Sequence, residues 1–318
     1  MVIAGIDEAG YGPVLGPLCV GVSAFDVGES SECLWKLLNR AVSNKRDPSG
    51  RKIHVADSKK VYSTSAGLSE LERAVLCFGL ASGWRVESLP DVLKQAAPNC
   101  CEHVLKFPWY RDRNESIYPI ETKIDSLKIA SNVVRRELDS AGVSVVHLSA
   151  HVIDEKRLNQ MFHATNNKSS TSMTFVARHL QQLMDRFSDR GLTIWCDRQG
   201  GRTHYAYWLR QMFEDWALTI ESETDGRAEY TLENRGRSVR LIFCEKGEDQ
   251  CMAVALASML AKYLREALMD RFNAYWKSLQ PDLKGTAGYY TDGIRFLRDI
   301  EPTYRSLGIA REQLARSR

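Results

Sequence analysis

Residues 251–276 constrain the fold more than any other stretch of this chain. They form its longest helix candidate, and the first half is almost wholly apolar and small. Ala253, Ala255, Ala257, Ser258 and Ala261 would let such a helix press closely on a sheet, because little side chain stands between the two backbones. The sheet is announced at the other end of the chain. Residues 2–6 are a continuous apolar run, as expected of a central strand buried on both faces. A bend rich in glycine and proline follows from Gly10 to Pro17, then a second apolar run over 18–25. Two runs joined by so short a bend predict an antiparallel pair.

Further along, helices are predicted near 32–41 and 68–81, and a strand at 84–89. An irregular stretch follows from Pro90 to about Thr122, where Pro90, Pro98, Pro108 and Pro119 interrupt any period. Regularity returns with a helix over 124–141 and a strand over 143–148, then helices at 155–163 and 174–187. A strand at 192–196 ends on Asp197. An amphipathic segment, 205–216, leads to strands at 218–221, 229–232 and 240–244, the last two joined by a hairpin turn over 233–238. Strands mixed with helices, opening on an antiparallel pair, predict an α/β domain with a mixed sheet.

Composition narrows the setting more than the function. In 318 residues, 44% hydrophobic and 26% charged content is ordinary for a folded soluble protein. No run approaches the ~18 apolar residues that span a bilayer. The opening residues lack a basic region and a cleavage site, so a cytoplasmic protein is expected. The eight cysteines show no zinc-type CxxC spacing, and Cys19, Cys77, Cys196 and Cys244 lie in apolar runs as structural thiols would. A net charge of +3 is too small to argue for nucleic acid by itself.

Four places set a carboxylate where a strand should end or a helix begin. These are Asp7-Glu8, Asp197 and Glu248-Asp249, with Asp57 in a polar segment as the fourth. Acids gathered at a sheet edge repel one another and lose hydration, so they need a compensating cation. Oxygen-only ligands suit Mg²⁺ or Mn²⁺, and no histidine lies near these positions to favour zinc. Each acid also has a plainer role. Strict alternation sends Asp7 and Glu8 to opposite faces unless the chain turns at Ala9-Gly10. Asp249 could cap the long helix, with Glu248 beside its dipole, and Asp197 could cap the loop through Arg198-Gln199-Gly200-Gly201. The functional reading rests on the combination.

Four blocks carry a family likeness. Gly5-Ile6-Asp7-Glu8-Ala9-Gly10-Tyr11-Gly12-Pro13, with Gly16-Pro17 after it, resembles the N-terminal signature of type 2 ribonucleases H. Asp57-Ser58-Lys59-Lys60 resembles that family's DSKK motif. Lys246-Gly247-Glu248, then Ala257-Ser258-Met259-Leu260-Ala261-Lys262, is similar to its KGD/KAE…ASxLAK segment. Gly288-Tyr289-Tyr290-Thr291 resembles its GYxT element. The blocks keep the family's order over residues 5–291.

The resemblance implies an RNase H-like fold, with a mixed central sheet flanked by helices. Here it would be a catalytic domain over 1–278 with an insertion at about 90–148, and a helical C-terminal extension over 279–318 carrying the GYxT-like element. It implies Asp7, Glu8, Asp197 and Glu248 as catalytic acids and metal ligands, holding two Mg²⁺ or Mn²⁺ ions with substrate bound. Glu248 is preferred to Asp249 because it stands fourteen residues before Lys262, the family spacing, which leaves Asp249 its capping role. A glutamate there is closer to the RNase HIII branch than to RNase HII. The implied reaction cuts the RNA strand of RNA–DNA hybrids, leaving 5′-phosphate and 3′-hydroxyl ends, by a monomer that needs no membrane. Gly10, Tyr11, Gly12, Ser58, Lys59, Lys262 and Tyr289 are the implied substrate contacts, the lysines (with Lys60) at phosphates and Tyr289 against a sugar.

Two departures from the family pattern and two basic segments bear on these expectations. Tyr11 stands where the family's triplet, which reads the ribose 2′-hydroxyl, carries Arg or Lys. The family's C-terminal His-Arg element is at best a remnant in Tyr304-Arg305-Ser306. Lys106, Trp109, Tyr110, Arg111 and Arg113 interleave aromatic and basic residues, as a nucleic-acid surface or an ordered surface loop would. Arg311, Arg316 and Arg318 form a basic tail, either a partner site or solvated. The competing readings are a nucleic-acid-binding protein that kept the fold, and a metal nuclease whose substrate has changed with Tyr11.

Overall fold

A seven-stranded mixed sheet organises the chain, and the two apolar runs near the N-terminus form two of its interior strands. The computed structural model describes residues 1–63, 67–111, 118–165, 168–198 and 201–317, so the readings on Arg113, Gln199, Gly200 and Arg318 lie outside the described residues. The strands are β1 (Val2–Ala9), β2 (Leu18–Asp26), β3 (Val42–Ser43), β4 (Ile53–His54), β5 (Ser144–Ile153), β6 (Leu192–Asp197), β7 (Ala217–Thr224), β8 (Arg227–Asn234) and β9 (Arg237–Cys244). Apart from β3 and β4, which pair with each other, they join in the order β5-β2-β1-β6-β9-β8-β7. β1, β6 and β9 are parallel neighbours, and every other pair in this sheet is antiparallel. The expected β1–β2 pair and the mixed sheet are both present. The β8–β9 hairpin turns through Arg235 and Gly236, both at positive φ, as a two-residue turn matched to strand twist requires.

The helices are α1 (Leu34–Leu37), α2 (Ser58–Val61), α3 (Ser69–Ala81), α4 (Leu89–Ala96), α5 (Cys101–Val104), α6 (Ile124–Ala141), α7 (Glu155–Thr165), α8 (Lys168–Phe187), α9 (Ala206–Met212), α10 (Gly247–Gln250), α11 (Met252–Leu279), α12 (Tyr290–Asp299) and α13 (Glu301–Ser306). The small-residue half of α11 lies directly on β1 and β2. A Cβ added at Gly5 would stand 2.1 Å from Val254 N, and one at Gly21 would stand 2.3 Å from Ala257 O. Glycine in both strands and alanine in the helix therefore set the distance between the layers, and Ser23 Oγ donates across it to Ala253 O at 2.7 Å.

The opposite face packs on α8, where Ile6, Val20 and Val22 meet Val176, Leu180 and Met184. Inside this layer His179 is 1% exposed, with Nε2 2.9 Å from Val20 O. A carbonyl oxygen can only accept, so Nε2 carries the proton. Burial, and next the neighbouring His151, hold the His179 pKa well below the ordinary 6.5. A base depressed in the fold stabilises it above pH 6.5, and that stability is lost as pH falls, because the unfolded chain takes up the proton first. The advantage of wild type over His179→Gln in urea unfolding is expected to shrink between about pH 7 and about pH 5. An advantage constant over that range would refute the neutral buried imidazole.

Several expectations are corrected. Residues 84–89 form no strand: the Gln95 side chain accepts from Arg85 N and donates to Arg85 O, both at 2.8 Å, and Ser88 caps α4. The stretch read as irregular from Pro90 holds α4 and α5, and the strand placed at 143–148 continues to Ile153 as an edge of the main sheet. Trp109 and Tyr110 are each 1% exposed, Trp109 stacking on Trp276 of α11 at 6.3 Å, so they are core residues and form neither a binding surface nor a surface loop. The helix expected at 32–41 is confined to α1. At the C-terminus, Phe296, Ile300, Leu314 and Ala315 belong to the same apolar core as α11. All eight cysteines are free thiols, and only Cys33 is exposed. Among the described residues no helix is long and apolar enough to cross a membrane.

Candidate active site

β1, β6 and β9 run parallel and side by side, so their C-terminal ends open on one edge of the sheet. Ile6 lies opposite Cys196, and Asp197 opposite Cys244. Asp7 and Asp197 therefore stand level, and the turn leaving β9 brings Glu248 in α10 to the same edge. The crevice beyond the carboxyl ends of parallel strands is where sheets of this kind take ligands. β1 stays extended through Ala9, so Asp7 and Glu8 keep to alternate faces, and the turn comes one residue later at Gly10, with φ +89°.

Local bonds hold each acid in place. Asp7 Oδ1 accepts from Glu8 N at 2.7 Å, and its carboxyl lies within hydrogen-bonding reach of Ser258 on α11. The Ser258 and Ser58 hydroxyls are 3.0 Å apart, so Ser58 is buried behind Asp7 instead of lining an open surface. Asp197 Oδ1 accepts from Gly247 N at 3.1 Å, which ties the end of β6 to the turn into α10. Asp57 caps α2, accepting from Lys59 N at 2.9 Å.

The acids share one electrostatic field. Burial, then the charges of Glu8 and Asp197, push the Asp7 carboxyl well above its ordinary range. Burial raises Asp197 as well, against the opposing pull of its bond from Gly247 and of Lys59. Glu248 is raised to about 7, chiefly by burial and further by Asp197 and Asp57. Lys59 answers them: burial draws its ammonium down, but Asp57, Asp7, Glu248 and Asp197 together outweigh it and raise its pKa. Glu248 Oε2 is buried and has no hydrogen-bond partner. A cluster of desolvated, mutually repelling oxygens with an unsatisfied acceptor fits a hard cation. Among the described residues, however, no three His, Cys, Asp or Glu side chains already converge on a point where a metal ion could sit.

The remaining expected residues divide. Lys60 leaves the acids and pairs with Asp249 at 2.5 Å. Asp249 thus does not cap α11, whose N-cap is Cys251 without a side-chain bond. Lys262 Nζ pairs with Glu266 at 2.7 Å and lies 4.6 Å over the Tyr62 ring, where Tyr62 also donates to Glu266. Tyr289 is 54% exposed, which excludes the buried-core alternative, and Tyr11 is 39% exposed. Gly12 has open space where a Cβ would stand, so the packing itself does not demand glycine there.

The device that sequence reasoning missed is the clamp on the loop from Gly10 to Pro17. Arg265 of α11, 1% exposed, donates to Pro17 O at 2.9 Å and to Leu15 O and Ala287 O at 3.2 Å. Glu155, fully buried at the start of α7, accepts from Gly16 N at 2.7 Å and from Tyr110 Oη at 2.9 Å. Arg316 reaches back from the C-terminus to donate to Gly10 O and Gly16 O, so it is a structural residue, not a solvated tail. Gly288 O closes the set, accepting from Val14 N at 2.8 Å. One signal was available: Arg265 stands seven residues after Ser258, on the same helix face. Arg316→Ala is expected to destabilise the fold by roughly 2–4 kcal/mol, since the Gly10 and Gly16 carbonyls lose their donor and buried Glu155 loses a nearby opposite charge. Arg316→Lys should recover only part, because an ammonium lacks the planar fork. Urea unfolding of both variants checks this, and a wild-type midpoint for Arg316→Ala would contradict it.

Comparison with known proteins gives a local sequence relationship. No protein-family model matches the chain. The ribonucleases HII of Methanosarcina barkeri and Methanosarcina mazei are each 47% identical to it over 60 residues, 19% of this chain and 26% of theirs. The ribonuclease HII of Methanococcoides burtonii is 45% identical over 62 residues, 20% of this chain and 28% of its own. The matched segment thus spans about a quarter of these relatives. Among solved structures, similarity extends to the RNase HII of Archaeoglobus fulgidus in its PCNA complex (14% identity, TM-score 0.41, 100% of this chain and 95% of that one). It extends also to the ribonuclease H2 of Pyrococcus horikoshii (16%, 0.41, 99% and 92%) and to Bst-RNase HIII with Mn²⁺ (14%, 0.44, 99% and 66%).

Proposed function

We infer that this chain, a divergent member of the type 2 ribonuclease H family, is a metal-dependent endonuclease that cuts the RNA strand of RNA–DNA hybrids. The observation that carries this reading is the delivery of Asp7, Glu8, Asp197 and Glu248 to one sheet edge by two neighbouring parallel strands, β1 and β6, and by the turn after the third, β9. Two Mg²⁺ or Mn²⁺ ions held by these four acids would supply the electrophilic charge for in-line displacement at a phosphodiester, leaving 5′-phosphate and 3′-hydroxyl ends.

The protein's own groups prepare that edge. The Gly247 amide and Ser258 orient the Asp197 and Asp7 carboxyls, and Lys59 balances part of the negative field. The clamped loop presents Gly12 with no neighbour where a side chain would be, so a sugar-phosphate backbone can approach the main chain closely there. Tyr289, exposed and joined through Gly288 to the same loop, offers a flat ring beside it.

The test uses three labelled duplexes with Mg²⁺ or Mn²⁺: a full RNA–DNA hybrid, DNA with a single embedded ribonucleotide, and plain DNA. Metal-dependent cutting of the hybrid is the expected result. Cutting of the single-ribonucleotide duplex would show that Tyr11 is compatible with junction recognition. Failure of well-folded protein to cut either ribonucleotide-containing duplex would overturn the function.

A further inference from the structure

A cavity of about 560 Å³ lies on the far side of β2 from the acids, between α8 and the outer strand β5. None of the four acids lines it. Its charged walls are Arg157, Arg178, Arg186 and a single acid, Asp185. Beneath them Phe175 is 1% exposed, and the guanidinium carbons of Arg157 and Arg178 lie 5.7 Å and 5.2 Å from its ring centroid. A guanidinium held on an aromatic ring is fixed in position while its N–H groups still point outward in their own plane. Neither of these two is paired with a carboxylate among the described residues. His151 sits between them and His179, its ring 5.5 Å from Phe175, and its Nε2 is buried without a partner. Arg186, tied to His147 Nδ1 at 2.9 Å, stands further along the groove.

We propose that this cleft binds phosphate groups, and that its ligand is the backbone of the nucleic acid engaged at the acids, a statement resting on the function proposed above. Three arginines against one acid select an anion, and the free guanidinium forks match tetrahedral oxyanions. The register places the cleft: His151 lies opposite Val20, and Val20 opposite Glu8. Two strand spacings of about 4.8 Å put His151 roughly 10 Å from Glu8 along the same row of the sheet. From Phe175 to Arg186 the helix rises about 16 Å, the axial length of four to five nucleotides at about 3.4 Å each. A strand passing the acids can therefore continue along α8.

The test measures binding in an Asp7→Asn background, so that cleavage does not intervene, using fluorescence anisotropy of a labelled RNA–DNA duplex across a salt series. Arg157→Gln/Arg178→Gln is the principal variant. Arg178→Gln alone, at an exposed position, serves if the pair disturbs folding. The double variant is expected to bind about tenfold more weakly at moderate salt, with a log–log salt slope shallower by about 2. With the acids intact, the same substitutions should raise KM and leave kcat unchanged. Wild-type affinity and slope in the variants would overturn the proposal. A calorimetric arm with ADP separates the sources of phosphate. If the protein binds no duplex but takes up ADP, and loses it on Arg157→Gln/Arg178→Gln, the nuclease reading fails while the phosphate cleft stands. Binding of neither probe would refute the cleft.

Discussion

Replacing Gly5 with alanine is expected to cost the fold about 4 kcal/mol or more, a large share of the about 5–15 kcal/mol by which folded domains are stable. The added Cβ would lie 2.1 Å from Val254 N and 2.2 Å from Ala253 C, and both atoms belong to the backbone at the start of α11. No side chain can turn aside to relieve such a contact. β1 cannot retreat either, being held by β2 on one side and β6 on the other. Overpacking that a flexible neighbour absorbs costs about 1–3 kcal/mol, and this contact exceeds that range because the neighbour is rigid. Gly12→Ala provides the contrast, since nothing lies within 4 Å of its added carbon and the change should stay within about 0.5 kcal/mol. Circular dichroism through a urea titration reads both. A wild-type midpoint for Gly5→Ala would show that α11 does not rest on β1 as described.

The second large effect concerns activity. Asp7→Asn is expected to lower hybrid cleavage by a factor of about 10³ or more, equivalent to about 4 kcal/mol of lost transition-state stabilisation. The same substitution should leave the melting temperature unchanged or raise it, because Asp7 is buried among acids that repel its charge. The two readouts together separate a chemical role from a structural one. Lost activity with a raised melting temperature is the signature of a carboxylate kept for catalysis at a cost to stability. Full activity in the variant would remove Asp7 from the reaction.

Much of this architecture was legible in the residues. Continuous apolar runs marked β1 and β2, the small residues of 253–261 marked a helix pressed on a sheet, and acids at strand ends marked an edge worth attention. Those signals are local: periodicity and side-chain size report which surfaces must leave water, within a few turns or a few strand residues. Parallel neighbouring strands then bring acids far apart in the chain to one edge, because their ends open on the same side of the sheet.

What the tertiary structure alone decided is which buried polar groups meet. Arg265, Glu155 and Arg316 come from α11, α7 and the C-terminus, yet they converge on one glycine-rich loop. Asp249, suited by its position to cap a helix, is instead taken by Lys60 from 189 residues away. Residues 84–89 look like a strand, but the Gln95 amide takes their backbone bonds. Trp109 and Tyr110, which read as a surface, lie under α11. Hydrophobic pattern states that a group must be buried, but a donor or acceptor is satisfied by whatever the folded chain brings within about 3 Å. The sequence by itself therefore determined the layers and the acids, and the packing of distant segments decided the partners.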